Sequence, residues 1–102
     1  MYKEQKPEVI LDRMNRKEHI VILDVREHDE WESGHIPGAK HIPLGQIARA
    51  LNDMDPKQET IIVCRSGNRS GQACEFLSSM GFHVVNMPGG MTQWTGGIVY
   101  GK

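Results

Sequence analysis

The segment TIIVCRSGNRS, residues 60–70, carries the clearest structural signal in the chain. It begins with four β-branched residues, which is typical of a strand buried on both faces. It continues through a loop that contains Gly67 and reaches Ser70, a good residue for a helix N-cap. The pattern predicts a strand at 60–63, a loop at 64–69 and a helix at 70–80, so that Cys64 lies directly after the strand.

The rest of the chain repeats this alternation of strands and helices. Apolar spacing predicts further strands at 20–23, 40–42 and 83–87 and further helices at 6–14, 27–33, 44–51 and 89–94. In the helix at 70–80 we expect Ala73, Phe76, Leu77 and Met80 to face inward. We therefore predict one α/β domain over residues 1–102, a three-layer α/β/α arrangement with a central parallel sheet of four or five strands.

The composition gives no sign of a nucleic-acid or membrane partner. The 102 residues include 12 basic and 13 acidic side chains, for a net charge of −1. The longest aliphatic run, residues 20–23, is far too short to span a bilayer. Because the N-terminus has no apolar segment like that of a signal peptide, we expect a cytoplasmic location.

The sequence also gives no sign of a metal or a cofactor. Its two cysteines, Cys64 and Cys74, stand ten positions apart and lack paired histidines, so they do not fit a zinc site. No two of the five histidines are four residues apart, and no glycine pattern for nucleotide binding is present. In a reducing compartment we expect no structural disulfide.

Cys64 is the candidate nucleophile. A thiol with a pKa of about 8.5 is only roughly 3% ionised at pH 7. Arg65 and Arg69 would bring positive charge to it, and the amides of a tight loop at a helix N-terminus would favour an anion. Gly67 permits the turn that such a loop needs. These residues alone leave sulfur transfer, phosphate chemistry and a redox relay open, beside the alternative of an inert buried cysteine.

Three motifs in this chain resemble those of the rhodanese family. The loop CRSGNRS, residues 64–70, is similar to the active-site loop of that family. LDVR at 23–26, EWESGHIPGA at 30–39 and IP at 42–43 resemble its N-terminal signature. GF at 81–82 and VNMPGGMTQW at 85–94 resemble its C-terminal one. Together the motifs span about residues 20–94, in the order that the family shows.

The resemblance implies a sulfurtransferase that works through covalent catalysis. Cys64 would take the outer sulfur of thiosulfate or of a persulfide, and would pass it to cyanide, a thiol or a protein thiol. Arg65, Ser66, Gly67, Asn68 and Arg69 would bind the small sulfur-donor anion and hold the persulfide. No cofactor, metal, nucleic acid or membrane is implied.

Loop length separates this chain from the phosphatases related to the rhodanese family. Those enzymes have five residues between cysteine and arginine, whereas Cys64 and Arg69 have four between them. Ser70 stands where the longer loop would need its arginine. Two alternatives stay open: a persulfide or redox relay, and a non-catalytic interaction module, against which the intact Cys64 argues.

Other polar and aromatic residues are better explained by structure than by chemistry. We expect Cys74 to pack in the core, and Asp24 and Arg26 to brace loops. His35 belongs to a signature rich in turn residues, and we do not expect it to act as a general base. We expect Trp31 and Trp94 to pack in the core or at its rim.

Overall fold

The structure, a computed structural model, describes residues 2–102. Its strands are β1 (Lys3–Glu4), β2 (Val21–Asp24), β3 (Lys40–His41), β4 (Thr60–Val63) and β5 (Val84–Asn86). Its α-helices are α1 (Pro7–Asn15), α2 (His28–Glu32) and α3 (Asn68–Ser79), and two 3₁₀ segments run over Leu44–Asp53 and Gly90–Gln93. Within the described residues, no helix has the length and apolar character needed to cross a membrane.

The five strands form a single parallel sheet in the order β1-β5-β4-β2-β3. β4 lies at the centre, where Ile62 is aligned with Leu23 of β2 and with Asn86 of β5. The residue that follows β4 is therefore surrounded by the ends of its neighbours. The prediction of a parallel α/β fold with four or five strands is confirmed.

Two apolar clusters cover the two faces of the sheet. Alternate residues of each central strand point to opposite faces, so Ile62 belongs to one cluster and Ile61 to the other. The first cluster includes Leu77 of α3, and the second includes Ile10 of α1. Both faces are thus covered, as the continuous apolar character of β2 and β4 predicts.

Helix α3 begins two residues earlier than Ser70, the N-cap that the sequence predicts. The cap is Gly67, whose φ of +104° lies in the left-handed region that favours glycine. Ser70 is already inside the first turn and fully buried. Its hydroxyl contacts the sulfur of Cys64 instead of capping the helix, so the N-cap prediction is wrong.

The inward face of α3 is also narrower than predicted. Ser70, Ala73, Cys74 and Leu77 are buried, at the spacing of one helix face. Phe76 lies off this face and is 38% exposed, and Met80, which follows the last turn, is 53% exposed. The prediction that these two side chains face inward is therefore wrong.

Two further elements differ from the predictions. The segment Leu44–Asp53 is a 3₁₀ helix that buries only Ile47, and it contains the weak helix formers Gly45 and Asn52. Strand β1 was not predicted at all. It has two residues, and it pairs with Val85 and Asn86 from the far end of the chain, so its own sequence carries no periodic signal.

Candidate active site

Cys64 lies at the carboxyl edge of the sheet, immediately after the central strand β4. This edge is where open α/β sheets bind their ligands. Two neighbouring strands end here as well, β2 at Asp24 and β5 at Asn86. The Cys64 residue is 1% exposed, and Ala73, Cys74 and Leu77 of α3 belong to the same apolar cluster.

The second 3₁₀ segment holds the backbone of the Cys64 loop. The N–H of Met91 donates to the carbonyl of Cys64 at 2.9 Å, and the N–H of Thr92 donates to the carbonyl of Arg65 at 3.0 Å. Gly90 lies against these carbonyls and leaves no room for a side chain, since a Cβ at this position would lie 2.4 Å from the Cys64 oxygen. Because the carbonyls of Cys64 and Arg65 are bonded to this segment, they point away from the sulfur. The amides of the residues that follow in the loop are then available to donate to it.

The sulfur of Cys64 has two close hydrogen-bond partners. The N–H of Gly67 donates to Sγ at 3.0 Å, and Oγ of Ser70 lies 3.3 Å from Sγ. If the sulfur is a thiolate, the Ser70 hydroxyl is the donor. The arrangement is suited to a negative charge on sulfur.

These contacts decide the direction of the Cys64 pKa. Burial acts to raise the pKa, because it disfavours the charged thiolate. Hydrogen bonds from the Ser70 hydroxyl and from the amides of Ser70, Gly67 and Ser66 act in the opposite direction and outweigh burial. The pKa of Cys64 therefore lies below its ordinary value, which increases the thiolate fraction at neutral pH.

Arg69 is held by a carboxylate from α2. Its guanidinium makes two hydrogen bonds to Glu30, at 2.6 and 2.8 Å. The bond to Arg69 outweighs partial burial and lowers the pKa of Glu30 to about 2. From the sequence, Arg69 is expected to bring positive charge close to Cys64, but Glu30 neutralises much of that charge. The same ion pair holds the Cys64 loop against α2.

Arg65 is different, because it is exposed and makes no ion pair with any residue between 2 and 102. A cleft of about 330 Å³ opens beside it. The cleft is lined by Arg26, Glu30, Ser33, Arg65, Met91 and Thr92. The guanidinium of Arg65 is therefore free to meet an anion from solvent.

The sequence-predicted loop residues occupy distinct positions around the sulfur. Gly67 contacts Sγ through its amide, and the amide of Ser66 also contributes to the lowered pKa. Asn68 is an exposed residue at the first position of α3.

Sequence reasoning missed two contacts, those of Ser70 and Glu30. Ser70 stood within the quoted motif, whereas no local signal connects Glu30 with an arginine 39 positions away.

Asp24 and Arg26 brace the neighbouring loop. The two side chains are nearly inaccessible and form a bidentate pair, with the shortest contact at 2.8 Å. The same guanidinium donates to the carbonyl of Gly34 at 2.7 Å. This pairing fastens the end of β2 to the turn after α2, as the bracing interpretation predicts.

Cys74 packs in the core, as predicted. It is fully buried in the same cluster as Cys64. Burial, with smaller contributions from Glu4 and Cys64, raises the pKa of its thiol to about 12. Cys74 is thus a neutral thiol at neutral pH, in contrast to Cys64. Among residues 2–102, no group of three or more candidate metal ligands is found.

The two tryptophans are placed differently. Trp31 is 8% exposed and stacks between His35 and His41, with ring centroids 3.4 and 4.8 Å away. Trp94 is partly buried against the cluster that contains Ile10. Both positions agree with the prediction of core or rim packing.

Comparison with known proteins identifies the family. The family model of the Rhodanese-like domain matches residues 6–96. The chain is 42% identical over 95 residues to the Bacillus subtilis protein named "Putative sulfur carrier protein YrkF"; the match covers 88% of this chain and 51% of that protein. It is 33% identical over 94 residues to "Thiosulfate sulfurtransferase GlpE" of Pseudomonas putida, with 91% of this chain and 84% of that protein covered.

A solved structure agrees with these matches. The crystal structure of a Rhodanese-like domain protein from Staphylococcus aureus superposes with a TM-score of 0.92 at 32% identity, covering 98% of this chain and 99% of that one. This chain spans only about half the length of YrkF. The matched segment includes the Cys64 loop, the bracing turn after α2 and the segment that holds the loop carbonyls. The chain belongs to the Rhodanese-like domain family.

Proposed function

We propose that this chain is a sulfurtransferase in which Cys64 carries the transferred sulfur. The observation that carries the proposal is the contact of Sγ with the Gly67 amide and the Ser70 hydroxyl, at 3.0 and 3.3 Å. Donors arranged in this way stabilise a thiolate before the reaction and a charged persulfide after it. The chain also belongs to a family in which some relatives are named sulfurtransferases, and this supports sulfur transfer by Cys64.

In the first half of the reaction, the Cys64 thiolate attacks the outer sulfur of the donor. With thiosulfate as donor, a bond forms between Sγ and that sulfur while the sulfur–sulfur bond of thiosulfate breaks. Its electron pair leaves with sulfite, and Cys64 holds a persulfide whose negative charge is on the outer sulfur. The name of the GlpE relative supports thiosulfate as the donor.

In the second half, a nucleophilic acceptor attacks the outer sulfur of the persulfide. The Cys64–sulfur bond breaks, and its electron pair returns to Cys64 as the thiolate. Cyanide becomes thiocyanate, and a thiol becomes a persulfide. Since the enzyme is covalently modified between the two halves, we expect ping-pong kinetics.

The two arginines of the loop have different parts in this proposal. Arg65 is exposed beside the cleft and without an ionic partner among residues 2–102, so we assign it to the anionic donor and the departing sulfite. Arg69 is already bound to Glu30, so we assign it mainly to holding the loop in shape. Substrate binding by Arg69, Ser66 and Asn68 stays a prediction.

The test is thiocyanate formation from thiosulfate and cyanide by the wild type and by Cys64→Ser. The hydroxyl of serine is not ionised at neutral pH, so the variant should show no rate above background. Cys74→Ala is the matched control, because it removes the other thiol. Equal rates for the wild type and Cys64→Ser would overturn the assignment.

Intact mass gives a second test. Treatment with thiosulfate should add about 32 Da, one sulfur atom, to the wild type and to Cys74→Ala but not to Cys64→Ser. Addition of cyanide should remove the extra mass. A mass gain that survives in Cys64→Ser would place the sulfur on another residue and contradict the proposal.

A persulfide relay is the second candidate. It is favoured by the name of the YrkF relative. A relay should use a low-molecular-weight persulfide with a much higher kcat/KM than thiosulfate. A higher kcat/KM for thiosulfate would exclude the relay as the main role.

A further inference from the structure

Asn86 is a buried amide at the end of β5, next to the Cys64 loop. It is 3% exposed. Its Nδ2 group donates to the carbonyl of Gly67 at 3.4 Å and to Oε2 of Glu4 at 3.3 Å. Its Oδ1 is buried and has no partner among the described residues. The side chain thus connects strand β1 with the loop that surrounds the sulfur.

The hydrogen bonds fix the orientation of this amide. Both partners of Nδ2 are oxygen acceptors, so exchanging the amide nitrogen and oxygen would place Oδ1 against two oxygens. Buried polar groups in folded proteins normally have partners, and an unsatisfied one requires an explanation. Here Oδ1 is left without a partner among the described residues because Nδ2 is directed at Gly67 and Glu4.

Gly67 needs such an anchor. Its amide N–H donates to Sγ of Cys64, while its carbonyl accepts from Asn86 and from the amide of Gly71 at 3.0 Å. Because glycine rotates more freely about φ than other residues, its φ of +104° is not enforced by a side chain. Holding the carbonyl fixes the peptide plane between Gly67 and Asn68, and this restricts the backbone rotation that would turn the Gly67 N–H away from the sulfur.

We propose that Asn86 is a positioning residue for Cys64: its Nδ2 holds the Gly67 carbonyl, so that the Gly67 amide points at the sulfur. The proposal rests on the sulfur-transfer function and adds to it a residue outside the quoted loop. Asn86 does not contact the sulfur, so it acts only through Gly67. Glu4 supports it from β1, which makes the N-terminal strand part of the site.

The role of Asn86 can be measured through the pKa of Cys64, because replacing this neutral side chain leaves the charges around Cys64 unchanged. Among the described residues, Arg69 and Cys74 of α3 interact electrostatically with Cys64. Arg65 follows Cys64 in the loop, Glu30 binds Arg69, and Glu4 lies beyond Asn86. Asn86 is neutral, so Asn86→Ala leaves all these charges in place. A change in the Cys64 pKa would then report a change in hydrogen-bond geometry.

The experiment is a titration of the thiolate by its ultraviolet absorbance in wild type and Asn86→Ala, together with the pH profile of kcat/KM. The pKa of Cys74 is about 12, whereas that of Cys64 lies below its ordinary value, so Cys64 is the thiol that ionises first as the pH rises. We expect the Cys64 pKa to rise by about 0.7 of a unit, leaving roughly fivefold less thiolate well below the midpoint. Activity should recover at high pH.

Thr60→Val is the matched control. Thr60 is 6% exposed at the opposite end of β4, and its hydroxyl donates to the carbonyl of Gln58. The variant removes a buried polar group without touching the loop, so the Cys64 pKa should not move. An unchanged pKa in Asn86→Ala, or an equal shift in Thr60→Val, would overturn the proposal.

Variants of the exposed Glu4 keep the test valid if Asn86→Ala does not fold. Glu4→Gln removes the charge but keeps an acceptor, whereas Glu4→Ala removes both. We expect a higher Cys64 pKa in Glu4→Ala than in Glu4→Gln, and equal values would contradict the proposal. If the wild type itself transfers no sulfur, the proposed function fails, but the thiolate titration still decides the role of Asn86.

Discussion

The sulfur of Cys64 combines burial with hydrogen bonding. Burial in an apolar cluster opposes ionisation, yet the loop amides and the Ser70 hydroxyl bring the pKa below its ordinary value. Cys74 is in the same cluster, where no donor to its sulfur is found among residues 2–102, and its pKa is raised to about 12. The pKa of the same kind of residue is thus lowered or raised according to its immediate hydrogen bonds.

Ser70→Ala should slow the enzyme without unfolding it. A hydrogen bond to a charged group contributes about 1.5–3 kcal/mol, so its loss should raise the Cys64 pKa by about one unit or more. The acid limb of the kcat/KM profile should move upward by the same amount. Ser79→Ala is the control, since the Ser79 hydroxyl donates to the carbonyl of Phe76 on the exposed side of α3. An unshifted profile in Ser70→Ala would show that the hydroxyl does not support the thiolate.

Cys74→Ala should retain activity within about twofold while losing stability. Its thiol is neutral at pH 7, and removing a small buried group costs about 1–2 kcal/mol of unfolding free energy. Urea denaturation and the thiocyanate assay would be measured on the same preparation. A loss of activity much larger than the loss of folded protein would indicate a redox role for Cys74.

At the scale of elements, the bridge between Glu30 of α2 and Arg69 of α3 joins two segments that are distant in sequence. The pKa of Glu30 is about 2 in the folded protein and about 4.3 in an unfolded chain. Because the folded value is the lower one, the bridge stabilises the protein above about pH 5. This contribution is lost as the pH falls towards 2.

Glu30→Gln should therefore lower stability in a pH-dependent way. Side chains about one quarter to one third exposed are partly screened by solvent, so we expect a loss of about 1 kcal/mol at pH 6. The difference between variant and wild type should disappear near pH 2. Glu8→Gln, an equal change of charge at an exposed position in the first turn of α1, should have a smaller effect, because only its interaction with the helix dipole is lost there. A difference in unfolding free energy that is independent of pH would contradict the ionic origin.

The elements also show what the sequence could and could not predict. Strand β4 has the predicted bounds because its apolar run and the following polar loop are local signals. The start of α3 was misplaced because Gly67 caps the helix through its backbone and leaves Ser70 to the sulfur. Strand β1 and the Glu30–Arg69 bridge depend on partners 82 and 39 positions away. Long-range pairs of this kind carry no signal in a single sequence.

At the scale of the whole molecule, the site is assembled from segments near both ends and the middle of the chain. Strand β1 supports Asn86, α2 holds Arg69, the central strand presents Cys64, and the last 3₁₀ segment holds the loop carbonyls. Because a parallel sheet brings the carboxyl ends of its strands to one edge, the order of strands creates this meeting point. Gly90, in this last segment, lies so close to the loop that a side chain there would meet its backbone.

Gly90→Ala should therefore disrupt the site and the fold together. Its Cβ would lie 2.4 Å from the Cys64 carbonyl oxygen and 2.6 Å from the Arg65 carbonyl carbon, both of them backbone atoms. The φ of +56° adds strain for a residue with a side chain. We expect a loss of at least about 3 kcal/mol in urea denaturation, and little activity in any folded fraction. Gly45→Ala, where a Cβ would meet nothing within 4 Å, is the control and should remain active. Normal stability and activity in Gly90→Ala would mean that the Cys64 loop does not depend on the last 3₁₀ segment for its shape.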